Sequence, residues 1–230
     1  MVERRRKRRR NDNAGSLGLN MKNLVLIQKD CPSAVDGLAL KARDALVSTE
    51  NDASLRRITE PLCYGDAPGP VTLIVDSHLM DVISPPELIE LKDAAAWAIT
   101  AGVCFTIDTH LLVTINSKFD MKIFKHGAHL VALCPERLYE IGSHCGNKGD
   151  EVNFCMATQM VWLHEFIHWA RGGVTDYTAS GNTEESVTQF ALWSLLLIAD
   201  DECIDMRSMM VKLAGHQPKP YRQFTKLPRI

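Results

Sequence analysis

From Ser33 to about Ser48 the apolar residues Val35, Leu38, Ala39, Ala42, Ala45 and Leu46 recur at helical spacing behind Cys31-Pro32-Ser33, which predicts an amphipathic helix. The polar interval from Thr49 to Arg57 either continues it or loops out, and Pro61 to Pro70, punctuated by Gly and Pro, reads as a loop. Val71-Thr72-Leu73-Ile74-Val75 is β-branched and apolar and predicts a strand. Ser84-Pro85-Pro86-Glu87 opens a helix: serine can cap, proline suits the first helical position, and Glu87 complements the dipole. That helix carries Leu88, Leu91, Ala95, Trp97 and Ala98 until Gly102 ends it. Further strands are expected at Val103 to Ile107, Leu111 to Ile115 and His129 to Leu133.

The strongest pattern lies later. Between Met156 and Ala170 one apolar row is formed by Met160, Leu163, Ile167 and Ala170 and another by Trp162, Phe166 and Trp169, so this helix is largely buried. The pair Gly172-Gly173 is a helix stop, because glycine enters the left-handed region without a steric penalty. A glycine-rich turn follows, and Asn182 then caps a last helix with Val187, Phe190, Ala191, Leu197 and Ile198 inward and Glu185 reaching back to the Asn182 amide. Past Asp200 the chain is polar and proline-containing. One domain is expected over residues 23–205, between a disordered basic tail at 1–22 and an extended tail at 206–230.

Composition changes little in this picture. Of 230 residues, 46% are apolar and 23% charged, as in ordinary globular proteins. The net charge of −2 conceals seven positive charges within the first ten residues, leaving the rest acidic. The plainest reading of that run is a solvated tail; its rivals are a nuclear-import signal or a contact with nucleic acid or another acidic surface. No aromatic residue is interleaved with the arginines to stack on bases. Neither a secretory apolar core nor a membrane span of about 18 apolar residues is predicted. Seven cysteines, Cys31, Cys63, Cys104, Cys134, Cys145, Cys155 and Cys203, leave two readings: reduced buried thiols, or disulfides with at least one cysteine left over.

The buried helix carries the chemistry. Within Trp162-Leu163-His164-Glu165-Phe166-Ile167-His168, two histidines four apart rise about 6 Å along the axis and share a face, so both can reach one ion. Glu165 stands beside them, where a carboxylate takes the proton of a metal-bound water. This is the H-E-x-x-H arrangement of zinc peptidases. The competing reading is a buried helix whose histidines are merely hydrogen-bonded; two imidazoles and a carboxylate on an apolar helix argue against it, being costly to bury without a shared partner. A third donor is needed, and three carboxylates are within reach: Asp176, Glu184 and Glu185. The two glutamates also have bland readings, Glu185 as a cap and Glu184 as a surface charge favoured by the helix dipole. The remaining histidines are isolated, or, as His126 and His129, poorly spaced, and no G-x-S-x-G elbow or phosphate-binding loop occurs.

Thr158-Gln159, His164-Glu165-Phe166-Ile167-His168 and Gly173-Val174-Thr175-Asp176-Tyr177 together resemble the active-site region of the deuterolysin-like aspzincin metallopeptidases, a family that includes fungal lysine-specific metalloendopeptidases. Leu133-Cys134-Pro135 and the stretch from Asn182 to Ala191 are similar to flanking elements of that family. The resemblance implies a zincin-type α+β domain, a small twisted sheet packed on helices. It also implies Zn2+ held by His164, His168 and Asp176, with Glu165 as general base in the hydrolysis of a protein or peptide substrate, and secretion. The sequence departs from the family pattern in two ways: Asp176 arrives about one residue early, and Ala179 stands where a tyrosine stabilises the oxyanion, so Tyr177 is the nearest substitute. The alternatives are a gluzincin-type site completed by Glu185 or Glu184, and a zinc-binding relative that no longer cleaves.

Overall fold

In this computed structural model the residues described are 24–31, 33–49, 52–59, 62, 69–89, 94–119, 124–172, 179–199 and 203–226. Three short apolar runs, Val25–Ile27 (β1), Val71–Ile74 (β2) and His129–Leu133 (β4), pair in parallel, and Gly102–Thr106 (β3) adds antiparallel to β4, giving the order β1-β2-β4-β3. Registers such as Leu26 with Leu73, Leu73 with Ala132 and Val103 with Ala132 align the strands. A mainly parallel sheet is covered on both faces, which is why these strands read as apolar runs and not as apolar–polar alternation.

Alternate strand residues feed two cores. Ile74, Cys104, Val131 and Leu133 face one side, with helices α1 (Ser33–Thr49), α2 (Ala53–Thr59), α7 (Pro135–Cys145) and α8 (Asp150–Ala170). Leu73, Val103, Phe105, Leu130 and Ala132 face the other, under α3 (Ser77–Ile83) and α6 (Thr109–Phe119). The fold is therefore mixed α and β, as expected, with helices in layers on both sides of the sheet.

Helix α8 runs through the larger core, touching α1, α7, β3 and β4. Asp150 and Glu151 sit in its first turn, where negative charge is favoured. Trp162 is fully buried, donates its indole N–H to Thr72 Oγ1 on β2 at 3.0 Å and stacks on Phe166. The helix ends at Gly172, whose φ of 100° places it in the left-handed region.

Several expectations are corrected. The run Leu111 to Ile115 is helical, within α6: Asp108 Oδ1 accepts the Leu111 N–H at 2.8 Å and starts a helix despite the β-branched content. In place of the single helix expected from Pro86 to Gly102, the described residues form two short ones, α4 (Pro86–Ile89) and α5 (Ala96–Ile99); Leu91 lies outside the described residues. The extended tail at 206–230 is instead ordered through residue 226. Helix α10 (Ile204–Ala214) buries Met206, Met209, Met210 and Leu213, and a 3-10 helix at Lys219–Lys226 buries Tyr221 and Phe224. No disulfide joins any two of the six described cysteines; five of them are buried, and Cys134 donates its thiol to Glu136 Oε2 at 3.0 Å. Cys63 lies outside the described residues.

The last long helix, α9, spans Ala179–Ile198, so Asn182 lies within it and does not cap it. Its inner face also differs from expectation. Val187, Phe190, Leu197 and Ile198 are exposed, whereas Glu185, Thr188, Gln189, Leu192 and Leu196 are buried. Polar residues are turned inward, Glu185 toward His164 and His168 of α8.

Candidate metal centre and adjoining cavity

Helices α8 and α9 pack side by side and bring His164, His168 and Glu185 together. His164 Nε2 lies 3.2 Å from Glu185 Oε2, His168 Nε2 lies 3.3 Å from Glu185 Oε1, and the two Nε2 atoms are 3.1 Å apart. All three residues are buried, His168 to 1% exposure. Tetrahedral ligands on zinc bonds of about 2.0–2.1 Å stand about 3.3–3.4 Å apart, and the three separations are of that size, with Glu185 facing His164 through Oε2 and His168 through Oε1. Two imidazole nitrogens and a carboxylate are also a donor set that zinc takes. The residues present thus fit a divalent cation in composition and in size.

Outer contacts orient this set. Thr188 Oγ1 lies 3.3 Å from His168 Nδ1, and a bond donated from Nδ1–H to that oxygen would leave the Nε2 lone pair available to a cation. Glu184 points elsewhere: it pairs with Arg171 at 2.8 Å and lies 3.9 Å from His168 Nδ1. His164 Nδ1 is buried and meets no hydrogen-bond partner among the described residues.

The electrostatics follow from crowding in a desolvated space. Burial works to raise the Glu185 carboxyl, but hydrogen bonds and charge from His164 and His168 outweigh it and hold the group far below the usual carboxylate range. Burial likewise works to lower His168, and the bonded Glu185 carboxylate, with Glu165 and Glu184, overcomes it and raises the imidazole. Glu165 behaves differently. Burial dominates there and pushes its carboxyl up, against the lowering influence of the two histidines and of the Cys104 backbone N–H that it accepts.

Glu165 lines a cavity whose wall also includes His164, Glu185, Gln189, Gln217 and Tyr221. Gly102 at the start of β3 forms the wall against Glu165, and a Cβ there would fall 2.9 Å from Glu165 Cγ. The Tyr221 ring stacks against His164 with centroids 6.2 Å apart. Gln217 donates to the Ala98 carbonyl at 2.8 Å and anchors the segment that carries Tyr221.

Of the residues expected from sequence, His164, His168 and Glu165 are brought to one site, and Glu185, the alternative third donor, joins them. Asp176 and Tyr177 lie outside the described residues. The histidines set aside have other surroundings: His129 Nδ1 is 2.9 Å from Thr106 Oγ1, and His144 and His216 flank the Trp97 ring. Gln189 and Thr188 escaped the sequence reading although the signal was present, since they fall four and three residues after Glu185 on the same helix. For Tyr221, some 50 residues beyond His168, the sequence carried no such sign. No family model, curated protein or solved structure matches the chain.

Proposed function

We propose that the chain is a zinc-dependent metallopeptidase in which His164, His168 and Glu185 hold the cation and Glu165 is the general base. The observation that supports this reading is the cluster of His164 Nε2, His168 Nε2 and the two Glu185 carboxylate oxygens, with separations of 3.1, 3.2 and 3.3 Å, standing next to a buried carboxylate that makes no part of it. A cation held there supplies Lewis acidity, polarising a scissile carbonyl and lowering the pKa of water from 15.7 toward about 7.

The chain's own groups do the rest. Glu165 takes the proton of the attacking water and delivers it to the departing amine, and its raised pKa brings it nearer the operating pH, where such transfers are most efficient. Glu185, ionised through its two histidine partners, offers negative charge to the cation and orients both rings. The burial of His164, Glu165 and Glu185 strengthens each of these interactions. The phenol sought at Tyr177 for the oxyanion has a second candidate in Tyr221, which is already in the cavity wall.

The test is metal content beside turnover. Purified wild-type protein retains about one zinc per chain, Glu185→Ala loses it and Asp176→Ala keeps it; Glu165→Gln keeps the zinc and loses peptide hydrolysis. Zinc lost from Asp176→Ala and kept by Glu185→Ala moves the third ligand to Asp176. Iron in place of zinc, or equal turnover by wild type and Glu165→Gln, overturns the proposal.

A further inference from the structure

Besides Glu165 and the metal-ligand candidates, the wall of the cavity includes the apolar side chains Ile99, Ile141, Met160, Leu192, Met210 and Leu213. The carboxylates that line it, Glu165 and Glu185, are those already engaged at the metal-ligand end, and no lysine, arginine or aspartate lines it among the described residues. A substrate lysine placed there would lose its hydration and find no carboxylate free to receive it. An aliphatic side chain would lose only water.

One polar group in this wall is unaccounted for. Gln189 is 5% exposed, and its Oε1 is buried with no donor among the described residues. Leaving an amide oxygen desolvated and unbonded is unfavourable, so a donor brought by a ligand would relieve it. Gln189 stands one helical turn after Glu185 on the same face, and both line the cavity together with Leu192. The peptide N–H of a residue whose side chain enters the cavity is a donor of the right kind at that position.

We infer that the cavity is the specificity subsite for a large aliphatic residue, leucine, isoleucine or methionine, adjoining the bond to be cut, with Gln189 Oε1 accepting that residue's backbone N–H. This rests on the peptidase reading, and it makes the enzyme selective for apolar and not for basic residues.

The experiment uses the full chain loaded with zinc and a mixture of peptides that differ only at the residues flanking one bond, with products read by mass spectrometry. Cleavage beside leucine, isoleucine or methionine exceeds cleavage beside lysine, aspartate or glycine by tenfold or more. Ala98→Phe, which narrows the cavity, shifts the preference toward alanine and glycine; Met210→Ala, which widens it, shifts the preference toward phenylalanine, so the pair brackets the pocket even if one variant folds poorly. Separately, N-acetyl-leucinamide is titrated by calorimetry into the Glu165→Gln protein, where it binds on the order of tenfold more tightly than N-acetyl-lysinamide and weakens by a similar factor in the added Gln189→Leu background. Cleavage without aliphatic preference, or equal binding of the two amides, overturns the subsite and leaves the peptidase reading standing. Failure to cleave any peptide, with selective leucinamide binding intact, overturns the peptidase reading and leaves an aliphatic-amide site.

Discussion

Gly102 lies directly against Glu165: a methyl group on its Cα would fall 2.9 Å from Glu165 Cγ, 3.2 Å from its Oε1 and 2.6 Å from Val161 Cγ1. An edge strand and the central helix therefore approach more closely than any side chain allows, and Glu165, the proposed general base, is held against backbone. Gly102→Ala must push Glu165 aside. Misplacement by about 1 Å costs on the order of a hundredfold in rate, and forcing atoms into a packed wall costs about 1–3 kcal/mol. The variant is expected to fold with a lowered Tm and to retain zinc while kcat falls by about two orders of magnitude. A kcat equal to wild type in the folded variant would show that Gly102 does not position the base.

Glu165 also links function to stability. Its folded-state pKa is raised above the ordinary 4.5, so the folded protein holds that proton more tightly than the unfolded chain does. Above both values the ionised group opposes folding, and the opposition fades as pH falls through the raised pKa toward 4.5. Glu165→Gln removes it without changing shape. In zinc-free protein the variant is expected to melt above wild type at pH 7 to 8, with the gap closing as pH approaches 4.5, as followed by circular dichroism. Identical melts across this range would mean that Glu165 is hydrated and not buried as found.

How much of this was legible in the sequence depends on which kind of signal each residue left. His164, Glu165 and His168 share one helix, so spacing alone brings them together, and the apolar rows on either side of them specify burial. Glu185 joins from another helix, and its bland reading as a cap, like that of Glu184 as a surface charge, competed because the same residue type serves as cap, surface charge or ligand. The inner face of α9 was misassigned for a related reason. Hydrophobic periodicity assumes that apolar residues point inward, and here Glu185, Thr188 and Gln189 occupy the inner face while Phe190 and Ile198 are exposed. The pattern misleads where function needs polar groups inside. At α6 the β-branched run Leu111 to Ile115 outweighed the cap at Asp108, and at α10 the polar flanks hid the helical spacing of Met206, Met209, Met210 and Leu213.

Glu185 is expected to stabilise the protein even before any metal binds. Its folded-state pKa is depressed, so the stabilisation is present above the ordinary 4.5 and is lost as pH falls through the folded value. Removing one member of a buried charge pair costs about 3–5 kcal/mol, because the other is left uncompensated. Glu185→Ala in zinc-free protein is therefore expected to lose about that much in urea unfolding at pH 7, and the difference from wild type should shrink in strong acid. A loss that is the same at all pH values would indicate packing alone.

The C-terminal 3-10 helix provides the last test, because it was expected to be an extended tail and instead closes the cavity. Phe224 is 3% exposed and packs on Trp193 of α9 with ring centroids 5.2 Å apart, while Ser186 Oγ donates to the Pro220 carbonyl at 3.1 Å. Truncating a buried phenylalanine costs about 3–5 kcal/mol, and in a chain of this size each kcal/mol lowers Tm by about 2–4 °C. Phe224→Ala is expected to lower Tm by roughly 10 °C, with the exposed neighbour Lys226→Ala unchanged as control. Release of this helix also removes Tyr221 from His164, so tyrosine fluorescence should rise in Phe224→Ala below its melting temperature. A Phe224→Ala melt matching wild type would mean that the segment is not part of the folded core, and the closed wall around Glu165 would fall with it.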